Sequence, residues 1–148
     1  MSIEDDVALL ERVPTLRLLG SAVLRVLAIS SEQQQFARGS ILFRAGDESD
    51  GGFVVQDGAF RIHEEDGNRE VIAERGALIG ELALIVPMSR SATAIALKYS
   101  TLIRIPRTLF QRVLDSDPAA ARRLRDELAN RTRQATSDIV MASAKLNI

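Results

Sequence analysis

Eight of the nine glycines fall between Gly39 and Gly80, and this clustering constrains the fold more than any other feature of the chain. Between the glycines lie short runs of β-branched and aromatic residues, at 41–43, 53–55, 60–62 and 71–73. Side chains of these types pack well on a pleated surface, so the runs are expected to be strands. Gly46-Asp47, Asp50-Gly51-Gly52, Asp57-Gly58 and Asp66-Gly67-Asn68 are turn signals that join them as hairpins. Two further runs, 92–97 and 102–105, add strands later in the chain. No helical stretch separates neighbouring strands, and a parallel crossover requires one. The expectation is an α+β chain whose centre, residues 35–107, is a closed antiparallel β-barrel.

Helical spacing brackets this centre. Leu9, Leu10, Val13, Leu16, Leu19, Val23, Leu24 and Leu27 fall at helical spacing. Pro14 and Gly20 cut the pattern into two or three short N-terminal helices within residues 1–34. A second helical pattern begins at Thr108, and Asp117-Pro118 reads as an N-cap followed by proline at the first helical position. Beyond it Ala121, Leu124, Leu128, Thr132, Ala135, Ile139, Ala142 and Leu146 form a stripe, with a phase shift between Leu128 and Thr132. Residues 108–148 are therefore expected to be a hinge and a long amphipathic helix. A small barrel is too short to cover such a helix, so contact with a second copy is expected to bury the seam and make a homodimer.

The residues that carry chemistry lie in ALIGELALIVPMSRSATAIA, residues 77–96. Physically this is a strand end that breaks at Gly80 into one short helical turn, after which a loop brings back an arginine. The first amides of a helical turn have no partner within it and can receive an anion. Arg90, nine residues after Glu81, offers a planar fork of donors to the same anion. Glu81 is acceptor-only and cannot bind phosphate, but it suits a sugar hydroxyl. A phosphate, a ribose hydroxyl and a base together describe a cyclic nucleotide.

GELAL, the step from Glu81 to Arg90, and RSAT resemble the phosphate-binding cassette (residues 77–93) of the cyclic-nucleotide-binding domain. That domain occurs in catabolite-activator-type regulators, cyclic-nucleotide-dependent kinases and gated channels. ARGSILFRAGDESDGGFVVQDGAFRI resembles its second signature, and residues 9–134 can be laid on the family pattern without large gaps. The resemblance implies a jelly-roll-like barrel, a double-stranded β-helix. It implies that Glu81 binds the ribose 2′-hydroxyl and Arg90 the cyclic phosphate, with Gly80, Ser91 and the amides of Leu82, Ala83 and Ala92 completing the shell. Ile62, Val71 and Ile72 correspond to the apolar bed of the purine, although ordinary barrel core explains them equally well.

By similarity to catabolite activators, Arg131 falls where an arginine pairs with the ribose-binding glutamate. Thr136 falls where a hydroxyl from the partner subunit reaches the purine, and Ala135 replaces a residue that is polar there. Thr or Ser at the position of Ser91 accompanies both cyclic AMP and cyclic GMP in the family, so the base stays open. Arg122, Arg123, Arg125 and Arg133 on the same helix give Arg131 an alternative as part of a solvated face.

Other classes of function find little support. A net charge of −1 favours neither nucleic acid nor an anionic membrane. No cysteine is present, so disulfides, iron–sulfur clusters and thiol catalysis are excluded and a reducing compartment is favoured. No apolar run reaches the ~18 residues of a membrane span. The acidic N-terminus (Glu4, Asp5, Asp6) has the wrong charge for a signal peptide, so the cytoplasm is expected. His63, the single histidine, precedes an acidic turn and lacks the companions of a metal site, and no catalytic motif is found. No cofactor is implied beyond the nucleotide. Catabolite-activator-type regulators carry a DNA-binding domain after the long helix, whereas this sequence ends at Ile148. The expectation is a stand-alone sensor without a DNA-binding domain, acting on an unknown downstream protein. The alternative is a dimeric interaction module that keeps the fold without using a nucleotide.

Overall fold

A computed structural model describes residues 2–65 and 69–137, with the side chains of the last helix as far as Arg131. Three short helices open the chain. Ser2 caps α1 (Ile3–Glu11) in a reciprocal box, its hydroxyl accepting from the Asp5 amide while the Asp5 carboxylate accepts from the Ser2 amide. Pro14 sits at the first position of α2 (Pro14–Arg17), and Gly20 opens α3 (Ser21–Ser30). The two breakers thus act where the sequence places them.

Among the described residues eight strands follow: β1 (Glu32–Phe36), β2 (Ile41–Phe43), β3 (Gly51–Asp57), β4 (Ala59–His63), β5 (Glu70–Glu74), β6 (Leu78–Ile79), β7 (Thr93–Ala96) and β8 (Ser100–Pro106). They form two four-stranded antiparallel sheets, ordered β1-β8-β3-β6 and β2-β7-β4-β5, in the jelly-roll arrangement of a mixed α+β fold. A 3₁₀ turn, Leu82–Leu84, interrupts the chain between β6 and β7. The helices α4 (Arg107–Ser116) and α5 (Pro118–Ser137) close it.

Two cores result from strand alternation. Phe53, Val55 and Leu102 of the first sheet meet Phe43, Phe60, Ile62, Ala73, Ala94 and Ala96 of the second. The opposite face of the first sheet, with Val54, Ile103 and Ile105, packs on the helices through Leu10, Leu16, Leu24, Phe110, Val113 and Leu124. β3 is therefore buried on both faces and reads as a nearly continuous apolar run. Gly51 is required here, because a Cβ would collide with the backbone of Ile105 and Pro106 on the paired strand β8.

The Asp117 side chain caps α5, accepting from the Ala120 amide at 3.1 Å. Ala120 and Leu124 are buried in the chain's own helical core and Leu128 packs against it. Arg123 adds bonds to the carbonyls of Leu18 at 2.6 Å and Leu19 at 3.1 Å. The first turns of the stripe are thus covered by the N-terminal helices, which the expectation of a seam open from Ala121 onward did not allow for. The stripe from Thr132 on lies outside the described side chains.

Candidate functional site

The site begins where β6 ends. Gly80 adopts φ +82°, a left-handed conformation that turns the chain out of the sheet and into Leu82–Leu84. Ala83 and Leu84 are buried, and Leu84 enters the helical core. A turn this short leaves its first amides, those of Leu82 and Ala83, without partners inside it.

Arg90 returns beneath this turn. Its backbone is pinned by the 44–47 turn: the Arg90 amide donates to the Asp47 carbonyl at 2.7 Å, and the Gly46 amide donates to the Arg90 carbonyl at 2.8 Å. The side chain is directed inward and the residue is only 7% exposed. Nη2 donates to the Gly51 carbonyl at 2.9 Å. The guanidinium carbon lies 4.3 Å from the Phe43 ring centre and 5.5 Å from that of Phe53. Nε is buried without a hydrogen-bond partner. Among the described residues no carboxylate forms an ion pair with it. Burial pulls this guanidinium below its usual pKa, Asp50 opposes that pull, and Arg107 adds to it. A buried cation without a counter-anion is costly, and two aromatic faces and one carbonyl offset that cost in part.

Glu81 is already engaged. Its side chain is 14% exposed and forms an ion pair with Arg131 of α5 through Oε1. Oε2 accepts from the Thr15 hydroxyl at 3.0 Å, and the same hydroxyl accepts from Arg131 Nη2 at 2.9 Å. Arg131 also reaches Glu127 at 3.4 Å. Arg131 thus sits in the domain's own network rather than on a solvated face. Arg90 faces the aromatic residues between the sheets, and Glu81 meets the helical layer.

The remaining predicted residues divide. Ser91 is exposed and Ala92 is buried between the sheets. Ile62 pairs with Val71 across β4 and β5, and Phe60 with Ala73, which puts all four on the inner face. Ile72 pairs with Arg61 and faces outward, 44% exposed. The sequence reading grouped Ile72 with Ile62 and Val71; strand alternation places it on the opposite face, so it cannot share their bed. Val71, although on the inner face, is 39% exposed and so lines an open end of that face. The side chains of Ala135 and Thr136 lie outside the described residues. His63 ends β4, and among the described residues no group of three His, Cys, Asp or Glu side chains could hold a metal.

Two contributors escaped the sequence reading. Thr15 has no local signal, because its hydroxyl meets a carboxylate 66 positions away. Arg107 binds the Ala83 carbonyl at 2.8 Å and the Ser49 carbonyl and hydroxyl at 2.8 and 2.9 Å. It therefore ties the cassette turn to the first residue of α4.

Comparison with known proteins bears on the family and the fold. The family model described as the cyclic nucleotide-binding domain matches residues 33–117. Lysophospholipase NTE1 of Chaetomium globosum is 34% identical over 72% of this chain, which corresponds to 7% of that protein. The chain spans only 7% to 9% of the length of the curated relatives it matches, so the lipase activity in their names belongs to much longer proteins. Among solved structures, the N-terminal domain of a transcriptional regulator from Streptomyces coelicolor A3(2) superposes with a TM-score of 0.78 at 32% identity, covering 87% of this chain and 95% of that one. A cyclic nucleotide-binding-like protein from Brucella abortus gives 0.67 at 32% identity, covering 75% and 98%. With its jelly roll, its Gly80 turn and its inward arginine, the chain belongs to the cyclic nucleotide-binding domain family.

Proposed function

We propose that this domain binds a cyclic nucleotide monophosphate, cyclic AMP or cyclic GMP, and passes its occupancy to the C-terminal helices. The observation that carries the reading is Arg90: a buried guanidinium, held in place by its backbone and by Gly51, with no ion-pair partner among the described residues. A cyclic phosphate is a single negative charge with free oxygens. Its oxygens would accept from Arg90, Ser91 and the amides of Leu82, Ala83 and Ala92. A carboxylate oxygen carries two lone pairs, so Glu81 can accept from a ribose 2′-hydroxyl while keeping Arg131. Ile62 and Val71 on the inner face would meet the base.

The relay runs through Arg107. A phosphate that draws in the cassette turn moves the Ala83 carbonyl, and with it the start of α4. Leu84 packs in the same core as Phe110 and Val113 of α4, so the turn and helix shift together, and α5 follows through Asp117. Occupancy acts only by favouring one arrangement over another. A homodimer through α5, a cytoplasmic location and an unidentified downstream protein belong to the same proposal.

Titration calorimetry with cyclic AMP and cyclic GMP tests the assignment. Arg90→Ala should weaken binding by about 2–5 kcal/mol, roughly 30- to 5,000-fold, because the phosphate loses its buried partner. Tight binding to the wild type together with undiminished binding to the variant would refute the role given to Arg90. One observation favours the other reading, an interaction module that uses no nucleotide: both oxygens of Glu81 already have partners. A thermal-shift assay in which neither nucleotide raises the melting temperature would establish that reading instead.

A further inference from the structure

Thr15 stands at the junction of three segments that are remote in sequence. It lies on α2, is 2% exposed, and its single hydroxyl both donates and accepts. It donates to Glu81 Oε2 at 3.0 Å and accepts from Arg131 Nη2 at 2.9 Å, while Arg131 Nη1 pairs with Glu81 Oε1. These three contacts close a ring of carboxylate, guanidinium and hydroxyl. Arg131 alone could pair with the carboxylate in several orientations. The additional bond from a fixed helix selects one plane and one rotamer.

We propose that Thr15 is a positioning residue for the ribose carboxylate. It presets Glu81 so that one lone pair faces a ribose 2′-hydroxyl, and it thereby sets the preference for a ribose over a 2′-deoxyribose ligand. This deepens the nucleotide reading and rests on it. At 3.0 Å the hydroxyl contact is an ordinary hydrogen bond to a charged acceptor, and its effect on orientation comes from closing the ring with Arg131. Without the hydroxyl, Arg131 Nη2 loses its acceptor and Glu81 Oε2 its donor in a largely buried place. Both groups would then turn toward water. A carboxylate that must be reordered on binding gives back affinity.

Calorimetry on the full chain tests this with two ligands, cyclic AMP and its 2′-deoxy analogue, or the guanine pair if cyclic GMP binds more tightly. Thr15→Val keeps the shape and removes the hydroxyl. It should weaken binding of the ribose ligand by roughly tenfold or more, the scale of one hydrogen bond to a charged group. Binding of the 2′-deoxy analogue should be unchanged, since that ligand does not use Glu81. Thr15→Ser, which restores the hydroxyl, should return the wild-type ratio. Thr15→Ala provides the same comparison should the valine variant fail to fold. Equal weakening of both ligands, or a serine variant that behaves like the valine one, overturns the role of Thr15 and leaves the nucleotide reading in place. A wild-type chain that binds neither nucleotide overturns both.

Discussion

Gly80→Ala separates the fold's demands from the ligand's at one atom. At φ +82° any Cβ is strained, and here it would also lie 2.5 Å from Arg90 Nη1. Gly39 supplies the control: its φ is +85°, and a Cβ there meets nothing within 4 Å. The backbone term is therefore shared, about 1–2 kcal/mol for a non-glycine residue in the left-handed region. Both variants should melt lower by about 2–8 °C. Only at Gly80 must a guanidinium also move, by about 1 Å, to reach ordinary contact. That movement is easy for a long side chain, so it adds little to the stability loss. It also carries the phosphate's main donor off its position. Losing one charge-assisted bond weakens binding by about 1.5–3 kcal/mol, roughly 10- to 150-fold. The assay is calorimetric titration beside a thermal melt for both variants. The two effects should also fail to add: in an Arg90→Lys background, which lacks Nη1, Gly80→Ala should cost less affinity than in the wild type. The reasoning fails if Gly80→Ala binds as tightly as Gly39→Ala.

Two further outcomes follow from strand register and from α5. Val71→Ser, on the inner face opposite Ile62, should lower nucleotide affinity several-fold, whereas Ile72→Ser, on the outer face opposite Arg61, should leave it unchanged; titration of both variants in parallel decides, and a larger loss at Ile72 would contradict the register. If the end of α5 pairs two copies, sedimentation of the full chain should give twice the mass of one, and a monomer at micromolar concentrations would remove the dimer from the proposal.

How much of this was legible in the sequence depends on how far apart the interacting groups lie. Signals confined to one turn read correctly. Pro14 and Gly20 broke the N-terminal helices, Asp117-Pro118 started α5, and Gly80 ended its strand. The β-branched runs became β2, β3, β4, β5, β7 and β8. β1 did not read as a strand because EQQQF is an edge whose side chains are largely exposed, and it pairs only with β8. β6 is two residues long, too short for any period to show. The face of Ile72 could not be known without the register of β4 against β5. The same distinction explains the site. Arg90 and Glu81 were paired through the resemblance of GELAL and RSAT to the family's cassette, yet what each touches is decided elsewhere. Gly51 supplies the carbonyl that holds Arg90, 39 positions away, and Thr15 and Arg131 bind Glu81 from 66 and 50 positions away. A carboxylate in a nearly closed place must be satisfied by something, and that much follows from the sequence. That its partners are the second helix and the last one follows only from the fold. Glu81 is thus in contact with the N-terminal helices through Thr15 and with α5 through Arg131, so any ligand that engages it changes the environment of the cassette and of both helical segments at once.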